Sequence, residues 1–74
     1  MRYFIVMTEG YTEGGTPFRL SNASESEAFP SLDAIRKQVD RYLYENHTET
    51  SSVIYVSNII ELNEEDYKSY KGLP

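Results

Sequence analysis

The sequence predicts an α+β fold: a two-layer sandwich in which a three-stranded antiparallel sheet carries one long crossover helix and a short C-terminal helix. Three observations predict it. Residues 2–8 and 53–62 are rich in β-branched and aromatic side chains, the composition of strands. Leu32, Ile35, Val39, Tyr42 and Leu43 recur at spacings of three, four and seven, the period of a helix with one apolar face. Three glycines between positions 10 and 15 supply the positive-φ positions that a hairpin loop needs.

Taken in order, residues 2–9 form the first strand, and Gly10-Tyr11-Thr12-Glu13-Gly14-Gly15 the loop after it. Residues 16–22 return as the second strand, with Phe18 and Leu20 on one face and Arg19 and Ser21 on the other. Pro17 has no backbone donor, which assigns this strand to a sheet edge. Residues 23–28 are small and acidic and read as loop or as a frayed extension of that strand. Ser31 precedes the helical stripe as an N-cap, Pro30 halts any helix upstream, and Asn46 or His47 ends it. Off the stripe, Asp33 with Lys37, Arg36 with Asp40, and Arg41 with Glu45 are opposite charges at i,i+4.

The third strand opens at Val53-Ile54-Tyr55-Val56, and Ser57-Asn58 is the place for a bulge that would exchange the faces of the residues beyond it. Asn63 followed by Glu64-Glu65-Asp66 marks a second helix start, with acids where the helix dipole favours them and Leu62 and Tyr67 spaced as a hydrophobic staple. Gly72 and Pro74 then close it. A crossover helix makes the third strand run in the direction of the second, so the compact arrangement sets it against the first, in the order 2-1-3 with every neighbour antiparallel.

Residues 1–74 are expected to form one domain, near the size at which a single core only just offsets chain entropy. Without cysteine there is no disulfide framework and no thiolate metal site. The opening apolar run is too short, and too soon interrupted by Glu9, to be a signal peptide or a membrane span, so cytoplasmic residence is the default expectation. A formal charge of −5 repels phosphate backbones and argues against direct nucleic-acid binding.

The residues offer poor material for catalysis. His47 is the one histidine, lies among Glu, Asn and Thr, and has no cysteine to pair with. No serine has a Gly-x-Ser-x-Gly setting, and the glycines lack the spacing and following lysine of a phosphate loop. Neither the Glu64 to Asp66 run nor Glu25 with Glu27 has the alternating oxygen ligands of a calcium loop. No enzyme, cofactor or metal is expected.

Association is the better expectation. Both strand-like runs carry large apolar groups at odd and even positions, yet one long helix can cover only one face. Leaving ~400 Å² of such surface in water would forgo about 10 kcal/mol at ~25 cal/mol per Å². The uncovered face should therefore meet the C-terminal segment, a second copy in a homodimer, or a protein partner, through a sheet face or an exposed edge. Candidate interface residues are Tyr3, Ile5 and Met7 (or Phe4 and Val6 in the opposite phase), Val53 and Tyr55 (or Ile54 and Val56), with Tyr44 and Tyr70 among the seven tyrosines. Two rivals stand beside this reading. Glu61, Glu64, Glu65 and Asp66 could form an acidic surface that inhibits a host defence or nucleic-acid-processing enzyme, or the tyrosine-rich surface could stack a small ring-bearing ligand.

Phe29-Pro30-Ser31-Leu32 leading into the helix, and Asn58-Ile59-Ile60-Glu61-Leu62 running into Glu65-Asp66-Tyr67, resemble short uncharacterised proteins of gut bacteria and their phages or mobile elements. The likeness covers about half the chain. It implies a fold and a kind of origin, and it carries no catalytic residue.

Overall fold

A computed structural model describes residues 1–71. The elements are β1 (Arg2–Thr12), β2 (Pro17–Ser26), α1 (Leu32–His47), β3 (Ser51–Leu62) and α2 (Glu64–Lys71). The sheet order is β2-β1-β3, with both pairings antiparallel. The α+β architecture and the 2-1-3 order are those expected; Gly72 and Pro74, expected to close α2, lie outside the described residues.

The strands are longer than their composition suggested. β1 runs on through Gly10 to Thr12, and the turn is only Glu13-Gly14-Gly15, closed by the Gly15 N–H on the Thr12 carbonyl at 2.9 Å. Among the described residues Gly15 is the one glycine with positive φ, at 86°. Gly10 serves a different need: a Cβ there would collide with the backbone carbonyl of Val53, because β3 folds closely over β1 beside the register shift at Tyr11/Thr12. β2 likewise continues through Ala23 to Ser26, which pair with Ile5 to Arg2.

β1 divides the molecule. Its even residues Phe4 and Val6 are buried with Ile35, Val39 and Leu43 of α1, and Phe18, Leu20, Ile54, Val56 and Ile59 pack around that cluster. The helical stripe thus buries only its i,i+4 row. Leu32 and Tyr42, expected with it, are exposed. Phe29 meets Phe4 edge to face, with ring centroids 5.5 Å apart.

α1 begins at the Ser31 cap, whose hydroxyl accepts from the Ala34 N–H at 3.1 Å, and ends at Thr48 in the left-handed region. Of the three i,i+4 charge pairs, only Asp33–Lys37 closes among the described residues, at 3.1 Å. Asp40 turns instead to the start of β3, accepting from the Ser51 N–H at 2.9 Å and the Ser51 hydroxyl at 2.6 Å. Two charge-assisted bonds on one carboxylate oxygen fix where the third strand enters the sheet.

The bulge expected at Ser57-Asn58 is present as a register shift in which Met7 faces Asn58 while Thr8 faces Val56. The Ser57 hydroxyl donates to the Met7 carbonyl at 3.2 Å, and the Ile59 N–H donates to the Asn58 side chain at 2.9 Å. One extra residue brings Ile59 to the α1 side and Ile60 to the opposite side, and both parts of β3 present apolar groups to both faces.

Within the core, the Thr8 hydroxyl is fully buried and has no hydrogen-bond partner among the described residues. An orphaned hydroxyl costs about 1–3 kcal/mol. Thr8→Val should therefore raise the stability of the fold by about 1 kcal/mol in urea unfolding, and a loss of stability would show that the hydroxyl is satisfied in solution. Gly10→Ala should cost about 2 kcal/mol or more through backbone displacement at Val53, whereas Gly14→Ala, which meets only the movable Glu49 side chain, should cost much less. Equal melting of the two variants would refute the close approach at Gly10.

Candidate interaction surface

The face of the sheet opposite α1 carries the odd residues of β1, and α2 reaches one end of it. Asn63 caps α2, its side-chain carbonyl accepting from the Asp66 N–H at 2.7 Å while its amide donates to the Asp66 carboxylate at 3.1 Å. This fixed start directs Tyr67 onto the sheet, where it is 2% exposed and its ring lies 4.9 Å from that of Tyr3. Ile5 is only 3% exposed. Tyr70 extends toward β2, with its hydroxyl 3.4 Å from that of Ser21.

Two of the expected interface residues are accordingly not available. Ile5 is buried and Tyr3 is packed under Tyr67, because the eight-residue α2 roofs that end of the face. Phe4 and Val6, the opposite phase, lie beneath α1. Tyr44 is exposed, but on α1, in the layer on the other side of the sheet. Met7, Val53 and Tyr55 remain together on the face that α2 leaves uncovered, with Tyr70 at its border.

That uncovered part is mixed in chemistry. Glu9 and Arg19 stand opposite each other in register and form an ion pair at 3.5 Å. They line two neighbouring open depressions, of about 450 Å³ beside Tyr11, Phe18 and Tyr55, and about 570 Å³ beside Met7, Leu20 and Ser57. Ligand sites commonly enclose most of their ligand. Here Tyr11 and Tyr55 are both exposed and rim an open hollow, an arrangement better suited to contact than to enclosure.

β3 is the least covered apolar element. On the uncovered face Val53, Tyr55 and Ile60 are 37%, 59% and 38% exposed, and on the α1 face Ile54, Val56 and Ile59 are only partly buried. β3 pairs with β1 alone, so its outer backbone edge has no strand beside it among the described residues. The other edge differs. β2 presents large apolar groups, Phe18 and Leu20, on one face only, begins at Pro17 and is otherwise small, polar or charged. It is built as a protected edge, and β3 is not.

The acidic candidates do not assemble into a free negative surface. Glu61 accepts from the Nε and Nη2 of Arg2 at 3.0 and 2.9 Å, and that guanidinium holds its carboxyl below the usual range. Arg2 in turn lies 5.2 Å from the Phe4 ring, which sets this pair on the α1 side. Glu64 pairs with Lys68 at 3.2 Å, which lowers its pKa, and Asp66 is engaged with Asn63. Glu65 is exposed at the start of α2. Three of the four acids have structural duties within the chain.

Among the described residues, no group of three or more His, Asp or Glu side chains could hold a metal ion, and no helix is long and apolar enough to cross a membrane. No protein-family model matches the chain, and comparison with curated proteins and with solved structures finds no match.

The tyrosine pair under α2 makes the docking of that helix sensitive to alkaline pH. Burial, then the charges of Glu25 and Tyr3, push the Tyr67 phenol up; burial, then the charge of Glu64, push Tyr3 up. A raised folded-state pKa stabilises the fold below the ordinary value near 10 and loses that contribution as pH rises through the folded value. Tyrosinate absorbance should show two late-titrating groups above about pH 10, with far-ultraviolet dichroism from α2 lost alongside them and one late group removed by Tyr67→Phe. Titration of Tyr3 and Tyr67 at the ordinary value would contradict the packing of α2 on the sheet.

Proposed function

We propose that this chain is a non-enzymatic protein–protein interaction module that associates through β3 and the adjoining part of the sheet face left open by α2. The observation that carries this reading is the incomplete cover of β3: seven large apolar side chains, four on one face and three on the other, none fully buried, on a strand whose outer edge is bare among the described residues. Apolar area left wet in a chain of this size forgoes stability that the fold can ill spare, and association recovers it. Aromatic groups such as Tyr55 are the side chains favoured at the centre of protein interfaces.

Catalysis draws no support from the same coordinates. His47 sits exposed in the last turn of α1, and neither open depression is lined by it. The acidic-inhibitor reading is weakened by the internal ion pairs of Glu61 and Glu64.

The test is retention of proteins, its own kind included, by the immobilised full chain from a native extract, compared between wild type, Tyr55→Lys and Tyr44→Lys. Specific retention should fall about ten-fold or more with Tyr55→Lys, the size of effect expected at an interface centre, and persist with Tyr44→Lys on the far layer. Retention insensitive to Tyr55, or lost equally with Tyr44→Lys, would sink the proposal.

A further inference from the structure

β3 has the composition of a central strand and the position of an edge. Its apolar residues lie on both faces and are half covered on both, a condition that one helix laid on either face could not complete. What completes it is another strand, carrying its own cover. We infer that two copies of this chain pair antiparallel through β3, giving a six-stranded sheet in the order β2-β1-β3-β3-β1-β2. The inference rests on the association reading above and names its partner.

Three features favour a second copy over a foreign strand. First, the charge on β3 permits self-pairing. The chain carries −5 overall, yet β3 has one charged residue, Glu61, near its C-terminal end and neutralised by Arg2. Antiparallel apposition sends the two Glu61 side chains to opposite ends of the interface, so like charges are not opposed. Second, the assembly closes. A two-fold axis uses the two apolar edges on each other and leaves outward only the two β2 edges, each with Pro17, Arg19 and Glu25, so association stops at two. Third, a two-fold axis perpendicular to the sheet keeps both α1 helices on one face and both α2 helices on the other. Ile54 and Val56 then gain neighbours on the α1 side as Val53 and Tyr55 do opposite.

The irregularities of β3 indicate which part pairs. Its ladder with β1 shifts register once beyond Val53 and again at Ser57, where the Ser57 hydroxyl and the Asn58 side chain are already taken up by backbone groups. The regular stretch between them is residues 53–56. Centring the axis at Tyr55 sets Ile54 opposite Val56 and keeps every pair on a common face. So short a ladder buries less than the roughly 800 Å² per partner of standard stable interfaces, so the dimer is weak and must be sought at high concentration.

Sedimentation velocity of the wild-type chain from about 5 to about 500 µM, a range that brackets weak dimers, should pass from monomer to dimer and no further. Val53→Lys, which puts a lysine at the edge, should shift that transition at least about ten-fold to higher concentration. Because the chain has no cysteine, single introduced thiols report the geometry: under mild oxidation Tyr55→Cys should yield disulfide-linked dimers, and Ser21→Cys on β2 should not. A wild-type chain that stays monomeric throughout, or equal cross-linking from both strands, overturns the inference. If that monomer still retains another protein in a Tyr55-dependent way, self-pairing fails and the broader association reading survives. If it retains none, both fail.

Discussion

The rest of the molecule depends on the need to cover a sheet whose apolar groups point both ways. β1 is the strand on which that need is best met, with Phe4, Ile5 and Val6 buried on its two faces and Met7 and Tyr11 left partly open. Phe4 and Val6 are buried with residues of α1, and on the other face Ile5 is buried and Tyr3 lies against Tyr67 of α2. Each helix is therefore positioned by its relation to β1, and the local devices serve that placement: the Ser31 and Asn63 caps set where the helices start, and Asp40 ties the middle of α1 to the first residue of β3. A small chain without cysteine has no disulfide to hold it, so the burial of these few side chains and their caps carries most of its stability.

Cover falls off unequally on the two sides of β1. On the β2 side the sequence needs little, since beyond Phe18 and Leu20 the strand is polar and tolerates water. On the β3 side the need stays high while the cover runs out. The bulge at Ser57 decides which residues face which way: without the extra residue, the helix-side set begun by Ile54 and Val56 would continue as Asn58, Ile60 and Leu62, and instead it passes to Ile59. Both halves of β3 keep apolar groups on both faces, which suits a strand with neighbours on each side. The functional reading and the proposed dimer both follow from that imbalance between the two edges.

Much of the architecture was legible in the pattern of residues. Order, direction and number of elements follow from one helical stripe, two strand-like runs and a proline that marks an edge, and the Ser57-Asn58 bulge was readable from two polar residues interrupting an apolar run. What was not legible came from side chains with two possible uses. Gly10 serves either positive φ or the absence of a Cβ, and composition does not distinguish them, so the loop was read as beginning where the strand continues. Residues 23–26 are polar because they lie on an outer strand, which in sequence looks like a loop. Leu32 and Tyr42 fit the helical period but remain exposed, Leu32 at the first position of α1 and Tyr42 beside the buried Leu43. Asp40 is spaced to meet Arg36 and is claimed by Ser51, a contact eleven residues away that local spacing does not reveal. The candidate surface was half legible for a related reason. Alternation shows that two faces exist, but only the docking of α2 decides that Tyr3 and Ile5 are taken while Val53 and Tyr55 are left.

The central claim is that the outer edge of β3 finds a strand beside it once enough protein is present. Amide hydrogen exchange read along β3 at increasing protein concentration tests this most directly, because backbone N–H groups that point away from β1 are open in the lone chain and bonded when another strand is added. With β3 paired to a second strand, exchange in residues 53–56 should slow as concentration rises, while exchange in β2 does not change. Exchange in β3 that is the same in dilute and concentrated solution would contradict it.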